Sequence, residues 1–182
     1  RFFESVKIRL RCDVKIGIML SGGLDSSVIC SVAKKIDKNY NFQLLSFVND
    51  SKKNDESKFI ELMENHLNIK SLKVKLPDNK ESYFELLKEA SKKIDTPIAG
   101  PSNLAHFHMM QIARKNNLKV VLSGQGADEI LCGYNKYLYV YLINLFKNKK
   151  FFKFFQTFFL FLKNKNKFNQ FNINDVKRYL GK

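Results

Sequence analysis

The sequence predicts an α/β fold: an open, doubly wound parallel sheet of about four to five strands with helices on both faces, followed by a C-terminal helical extension. Three observations lead there. Short apolar runs rich in β-branched residues alternate with longer amphipathic segments as far as residue 123. Two of these runs end in a serine–glycine turn that opens a helical pattern. From Tyr137 the alternation stops and aromatic helical segments replace it.

Residues 2–10 open the chain with Phe3, Val6 and Leu10 at helical spacing. There is no Met at position 1, and the chain begins inside this stretch, which reads as a piece of a longer protein. Residues 14–20 (VKIGIML) form the first strand, and a helix runs from about Asp25 to Lys35. Residues 43–48 are the second strand. A helix at 55–67 follows, with Phe59, Leu62, Met63 and Leu67 on one face. Residues 69–76 alternate as a third, less buried strand. A helix over 81–94 ends at the Asp95-Thr96-Pro97 turn, because the residue before proline avoids helical geometry. Ser102 is a candidate cap for a helix reaching about Asn116. Residues 118–123 are the fourth strand, expected beside the first, so that both glycine turns open on one edge.

In the C-terminal part, Phe151, Phe152, Phe155, Phe158, Phe159 and Leu162 fall on one helical face, with Phe154 and Phe161 off it. A cofactor box or membrane anchor would use such a face, but core packing, against the remainder of a longer protein, explains it more simply, and the run is too short to span a bilayer. Residues 163–174 are polar and low in complexity, a loop or linker, and a helix starts at Asp175–Leu180. The expected division is a nucleotide-type core at 1–136 and a helical extension at 137–182.

The net charge of +15 raises nucleic-acid or membrane binding. The lysines are spread along the chain without an RNA-binding signature, so solvated faces account for them, and neither partner is expected. The three cysteines, Cys12, Cys30 and Cys132, have no metal-type spacing and no pairing pattern, which suggests reduced thiols and a cytoplasmic protein. His106 and His108 lie two apart on a helix and so point to different sides, which argues against shared metal ligation.

The chemistry sits in two loops. Ser21-Gly22-Gly23-Leu24-Asp25-Ser26-Ser27 leaves a strand and enters a helix. First-turn amides have no internal partner and form an anion site, to which Ser21, Ser26 and Ser27 add hydroxyls. Asp25 would repel a phosphate unless a cation lies between them, which suggests Mg²⁺. Neither a Walker motif nor a dinucleotide fingerprint is present. A plain Gly-Gly turn with an Asp/Ser cap accounts for parts of the run but not for all of it. The second loop, within Val120–Tyr134 (VVLSGQGADEILCGY), brings Gly124, Gly126, Asp128 and Glu129. Asp128 and Glu129 could serve only as helix caps, but with Asp25 they supply carboxylates for a shared Mg²⁺.

The run SGGLDSS resembles the PP-loop of the ATP-pyrophosphatases, and VLSGQGADEILCGY resembles the second signature of the asparagine synthetases. Asp95–Asn103 (DTPIAGPSN) and the Asp55-Glu56-Ser57 run within residues 49–57 are similar to two further family segments. The resemblance implies an adenine nucleotide alpha hydrolase-like fold, with ATP and Mg²⁺ as cofactors. It implies adenylation of the aspartate side chain with release of pyrophosphate, then displacement of AMP by ammonia drawn from glutamine. By the same resemblance, Leu20, Ser21, Gly22, Gly23, Asp25, Ser26, Ser27, Val48, Ser123 and Gly124 would hold ATP. Asp25 and Asp128 would bind the metal, with Glu129 as the further catalytic carboxylate. The expected partners are the small substrates and an N-terminal glutaminase domain outside this chain, with a homodimer left open for the full-length protein. The family's functional lysine lies beyond the region covered, and the fragment alone is expected to be inactive.

Two positions depart from the family pattern. Gln125 stands where many members carry Glu or Asp, which keeps open a different acceptor carboxylate, as in polysaccharide or antibiotic pathways. Cys132 replaces the first glycine of a Gly-Gly-Tyr signature and is expected to be a buried structural thiol. A truncated, nucleotide-binding pseudo-enzyme is the remaining alternative.

Overall fold

The computed structural model describes residues 1–39, 41–49 and 56–163. Four parallel strands, β1 (Ile16–Met19), β2 (Phe42–Phe47), β3 (Ser71–Val74) and β4 (Val120–Leu122), form one sheet in the order β3-β2-β1-β4. Ile16 pairs with Phe42 on one side and with Val120 on the other. The chain therefore winds outward from β1 to β2 and β3, then returns to place β4 on β1's free side. In open α/β sheets ligands bind at the C-terminal strand ends beside such a reversal, here those of β1 and β4.

The period-two pattern decides which helix covers which face. Ile16, Ile18 and Leu20 pack with Val6 of α1 (Phe2–Arg9), with Cys30 and Ala33 of α2 (Leu24–Ile36), and with Ile60 and Leu67 of α3 (Ser57–Leu67). Leu45 and Val74 point the other way, to Met109 and Ala113 of α5 (Pro101–Lys115). Each fully buried Leu or Ile contributes about 1.5–3 kcal/mol. Between these, α4 (Lys80–Lys93) packs Leu86 and Ala90 on Leu104 of α5.

The helix ends differ from expectation for local reasons. Asn79 caps α4, which no residue was singled out to do: its Oδ1 accepts from the Ser82 amide at 2.7 Å. The fifth helix begins at Pro101, with Gly100 in the capping position and no side-chain cap, so Ser102 is already inside it. Proline suits the first helical position because the amide it lacks would have had no partner.

The chain divides into two compact units, Arg1–Gly124 and Gln125–Lys182. The second holds α6 (Ala127–Leu131), α7 (Asn135–Lys147) and α8 (Phe151–Lys163). Within this unit the expected aromatic face is covered only at Phe158 and Leu162, both half-buried. Phe151, Phe152, Phe155 and Phe159 are exposed, while Phe161 is buried and Phe154 and Phe158 are half-buried. The covered arc is Phe154, Phe158 and Phe161, at i, i+4 and i+7. The Phe146 ring on α7 meets Phe154 edge-on at 5.8 Å, and Phe154 stacks on Phe158 at 6.0 Å. A helix apolar around most of its circumference does not announce which arc its neighbour takes. The linker and helix expected beyond residue 163, and most of the acidic run before Ser57, lie outside the described residues. Among the described residues no helix is long and apolar enough to cross a membrane.

Candidate nucleotide site

The first loop is braced from within. Ser26 Oγ donates to the Gly23 carbonyl at 3.1 Å and accepts from the Ser21 amide at 3.2 Å. The Ser21 and Ser26 hydroxyls lie 3.0 Å apart, and the Gly23 amide donates to Ser21 Oγ at 3.3 Å. Among the described residues the amides of Leu24, Asp25 and Ser26 make no hydrogen bond, and neither does the Asp25 carboxylate or the Ser27 hydroxyl. Three unpaired amides at the start of a 13-residue helix carry the positive end of its dipole. The donor set fits a polyphosphate, and the unpaired carboxylate beside it would suit a hard cation.

Gly22 shows why this turn needs its glycine. Its φ is +80°, and an added Cβ would stand 2.7 Å from Phe59 Cβ and 3.1 Å from the Ile60 amide nitrogen. The first turn of α3 therefore lies directly against the loop. The other end of α3 is pinned by Glu64, which is 2% exposed and accepts from the Ser71 amide at 2.9 Å and the Ser71 hydroxyl at 2.5 Å. Burial pushes the Glu64 carboxyl up, but the Ser71 bonds, with Lys73 and Lys70, outweigh it and hold the group below the usual glutamate range. Neither Phe59 nor Glu64 carried any site signal in the sequence.

The second loop reaches the first at its opening residues. An added Cβ on Gly124 would meet Asp25 Cβ at 3.2 Å and the Ser26 amide nitrogen at 3.2 Å. Gly124 is thus in contact with the first turn of α2, and Ser123 precedes it at the end of β4. Leu20 and Val48 are also placed at strand ends: the Leu20 amide donates to the Leu45 carbonyl at 2.8 Å, and the Val48 amide to Val74 at 2.9 Å. Both side chains are buried in the core cluster, so what they offer a ligand there is backbone.

In the second unit, Asp128 and Glu129 lie in the first turn of α6. Tyr134 Oη donates to Glu129 Oε1 at 3.1 Å, and Glu129 raises the Tyr134 phenol above its ordinary value. The Lys136 ammonium sits 4.6 Å from the Tyr134 ring centre. The Asp128 carboxylate occupies the space a side chain at Gly133 would need. Cys132 ends α6 with φ +57° and is exposed, which corrects the expectation of a buried thiol. The first glycine of the signature belongs at a left-handed position, and cysteine adopts that conformation here at the surface. Cys30, by contrast, is fully buried, and burial pushes its thiol up to about 12.

His108 Nδ1 lies 3.2 Å from Gln111 Oε1, and His106 is exposed. Among the described residues no three His, Cys, Asp or Glu side chains gather as a metal site.

Comparison with known proteins bears on what this loop architecture serves. The family model for asparagine synthase matches residues 1–173. The chain belongs to the asparagine synthase family. Among curated relatives it is 32% identical over 139 residues to asparagine synthetase [glutamine-hydrolyzing] 2 of Bacillus subtilis, covering 72% of this chain and 18% of that protein. It is 30% identical to the putative asparagine synthetase [glutamine-hydrolyzing] 2 of Methanocaldococcus jannaschii, covering 80% and 27%. The amidase chyE of Penicillium rubens is 26% identical over 75% of this chain and 22% of its own. The chain thus spans about a fifth to a quarter of its relatives' length. Among solved structures, an NH3-dependent NAD synthetase from Campylobacter jejuni overlaps 73% of this chain and 57% of its own, at 16% identity and a TM-score of 0.46.

Proposed function

We propose that this chain is the ATP-binding part of an asparagine synthetase, which adenylates the aspartate side-chain carboxylate and passes the activated acyl group to ammonia from glutamine. The observation that carries this reading is the first loop: unpaired amides of Leu24–Ser26 and an unpaired Asp25, touched by Gly124, at the point where strand order reverses.

The amides of the turn and the Ser27 hydroxyl take the β- and γ-phosphates, while Gly22 and Gly124 let α3 and α2 pack close against the loops. A carboxylate oxygen attacks the α-phosphorus, an acyl–AMP bond forms, and the bond to pyrophosphate breaks. The same amides then carry the negative charge of the leaving pyrophosphate. Mg²⁺, when bound, supplies charge neutralisation on the phosphates, with Asp25 and Asp128 as its protein ligands. Glu129, held by Tyr134, is the remaining carboxylate of the second loop. Ammonia displaces AMP in the second step. The full-length protein is proposed to be cytoplasmic and to draw its ammonia from a glutaminase part.

A second reading keeps the chemistry and changes the acceptor. Gln125 is a neutral amide where many family members carry a carboxylate, and a relative at similar coverage is described as an amidase. Pyrophosphate release by the full-length protein, measured against a panel of carboxylic acids with glutamine present, separates the two. Release that depends on aspartate supports the first reading. Release with another acid alone supports the second, and none above background with any acid sinks both.

A further inference from the structure

We propose that Ser26 is a positioning residue, an internal strut that sets the shape of the phosphate loop before any nucleotide arrives. The proposal deepens the reading above and rests on it for its consequence in binding, although the strut itself is a property of the ligand-free protein. The argument is a count of protons. A serine hydroxyl has one proton and two acceptor positions. The Gly23 carbonyl can only accept, so the bond at 3.1 Å takes the Ser26 proton. The Ser21 amide can only donate, so it fills one acceptor position on Ser26 Oγ at 3.2 Å. The contact with Ser21 Oγ at 3.0 Å must then use the Ser21 proton, which fills the second. Ser21 Oγ in turn accepts from the Gly23 amide.

Both hydroxyl protons are therefore turned inward, and Ser26 is saturated while only 5% exposed. The closed ring joins the last residue before the turn, the residue ahead of the helix and the third residue of α2. It holds the intervening glycines in one arrangement, which leaves the unpaired amides of Leu24–Ser26 facing a ligand without having to be ordered by it. Ser27 differs in kind: its hydroxyl has no partner among the described residues and remains available to a phosphate. Two adjacent serines that look alike in sequence thus divide the work, one bracing the loop and one offering a donor.

Amide hydrogen exchange on the full-length, ligand-free protein tests the strut directly, read at Ser21 with Ile18 and Leu44 as core controls. In Ser26→Ala, exchange at Ser21 is expected to accelerate on the order of five- to tenfold, the loss of one ordinary hydrogen bond, with the controls unchanged. In Ser26→Thr, which keeps the hydroxyl, and in Ser27→Ala, which never held the amide, Ser21 is expected to match the wild type. Affinity for MgATP should fall in Ser26→Ala, recover in Ser26→Thr, and fall in Ser27→Ala with no change at Ser21. Unchanged exchange at Ser21 in Ser26→Ala overturns the strut. Accelerated exchange in a protein whose wild type binds no MgATP leaves the strut standing and overturns the nucleotide reading instead.

Discussion

The two glycine loops solve the same problem by different means. The first is held by hydrogen bonds among its own serines and buttressed by α3, whose opening turn fills the space beside Gly22. The second relies on vacant space: Gly124 is bare so that α2 can approach, and Gly133 is bare so that the Asp128 carboxylate can lie over it. It also tolerates Cys132 in a left-handed conformation that the first loop assigns to glycine. A loop that cradles phosphate with its backbone must be rigid in the backbone. A loop that presents side chains needs mainly room for them.

The largest effect should come from Gly22→Ala. The new Cβ meets a side chain and a backbone nitrogen of α3, neither of which is a flexible tip, at a φ that disfavours any side chain. A loss of about 2–4 kcal/mol of stability, with loss of ATP binding, is expected in denaturant titration and calorimetry. Gly133→Ala should cost about 1–3 kcal/mol or less, because the overlapped group is the end of an aspartate that can turn aside. Its mark should be functional: pyrophosphate release falls while affinity for ATP is largely kept.

A pH titration separates the supports of the two loops. Glu64 pins α3 to β3, and its carboxyl is held below the usual value of about 4.3. A depressed acid contributes stability that is fully present above its unfolded value and is lost as pH falls through the folded one. Between neutral pH and about 5, stability should be flat in this term. Below about 4 it should decline, and Glu64→Gln, measured by thermal melting, should remove that part of the slope. The smallest effect is a gain: Cys132→Gly relieves the left-handed strain and should stabilise the protein by about 1 kcal/mol, read as a rise in melting temperature.

Much of this was legible in the sequence. The strands, the place of β4 beside β1 and the two loops follow from apolar runs with glycine turns at their C-terminal ends, because parallel strands need helical crossovers and leave few topologies. What stayed hidden depends on where elements meet. Phe59 behind Gly22 and Ser71 on Glu64 are contacts between segments whose spacing carries no signal. Which arc of the aromatic helix α7 covers carries no signal, because nearly every arc of it is apolar. Ser26 reads as a phosphate donor by residue type, and only the partners of its single proton reveal an inward role. Cys132 replaces a signature glycine, and the left-handed conformation of the helix end places it at the surface and not in the core.

A crystal structure of the full-length protein with Mg²⁺ and a non-hydrolysable ATP analogue bears most directly on the central claim. The account predicts the triphosphate on the amides of the Gly22–Ser26 turn, with one magnesium ion ligated by both Asp25 and Asp128. A nucleotide bound away from that turn, or an ion that Asp128 does not reach, would contradict it.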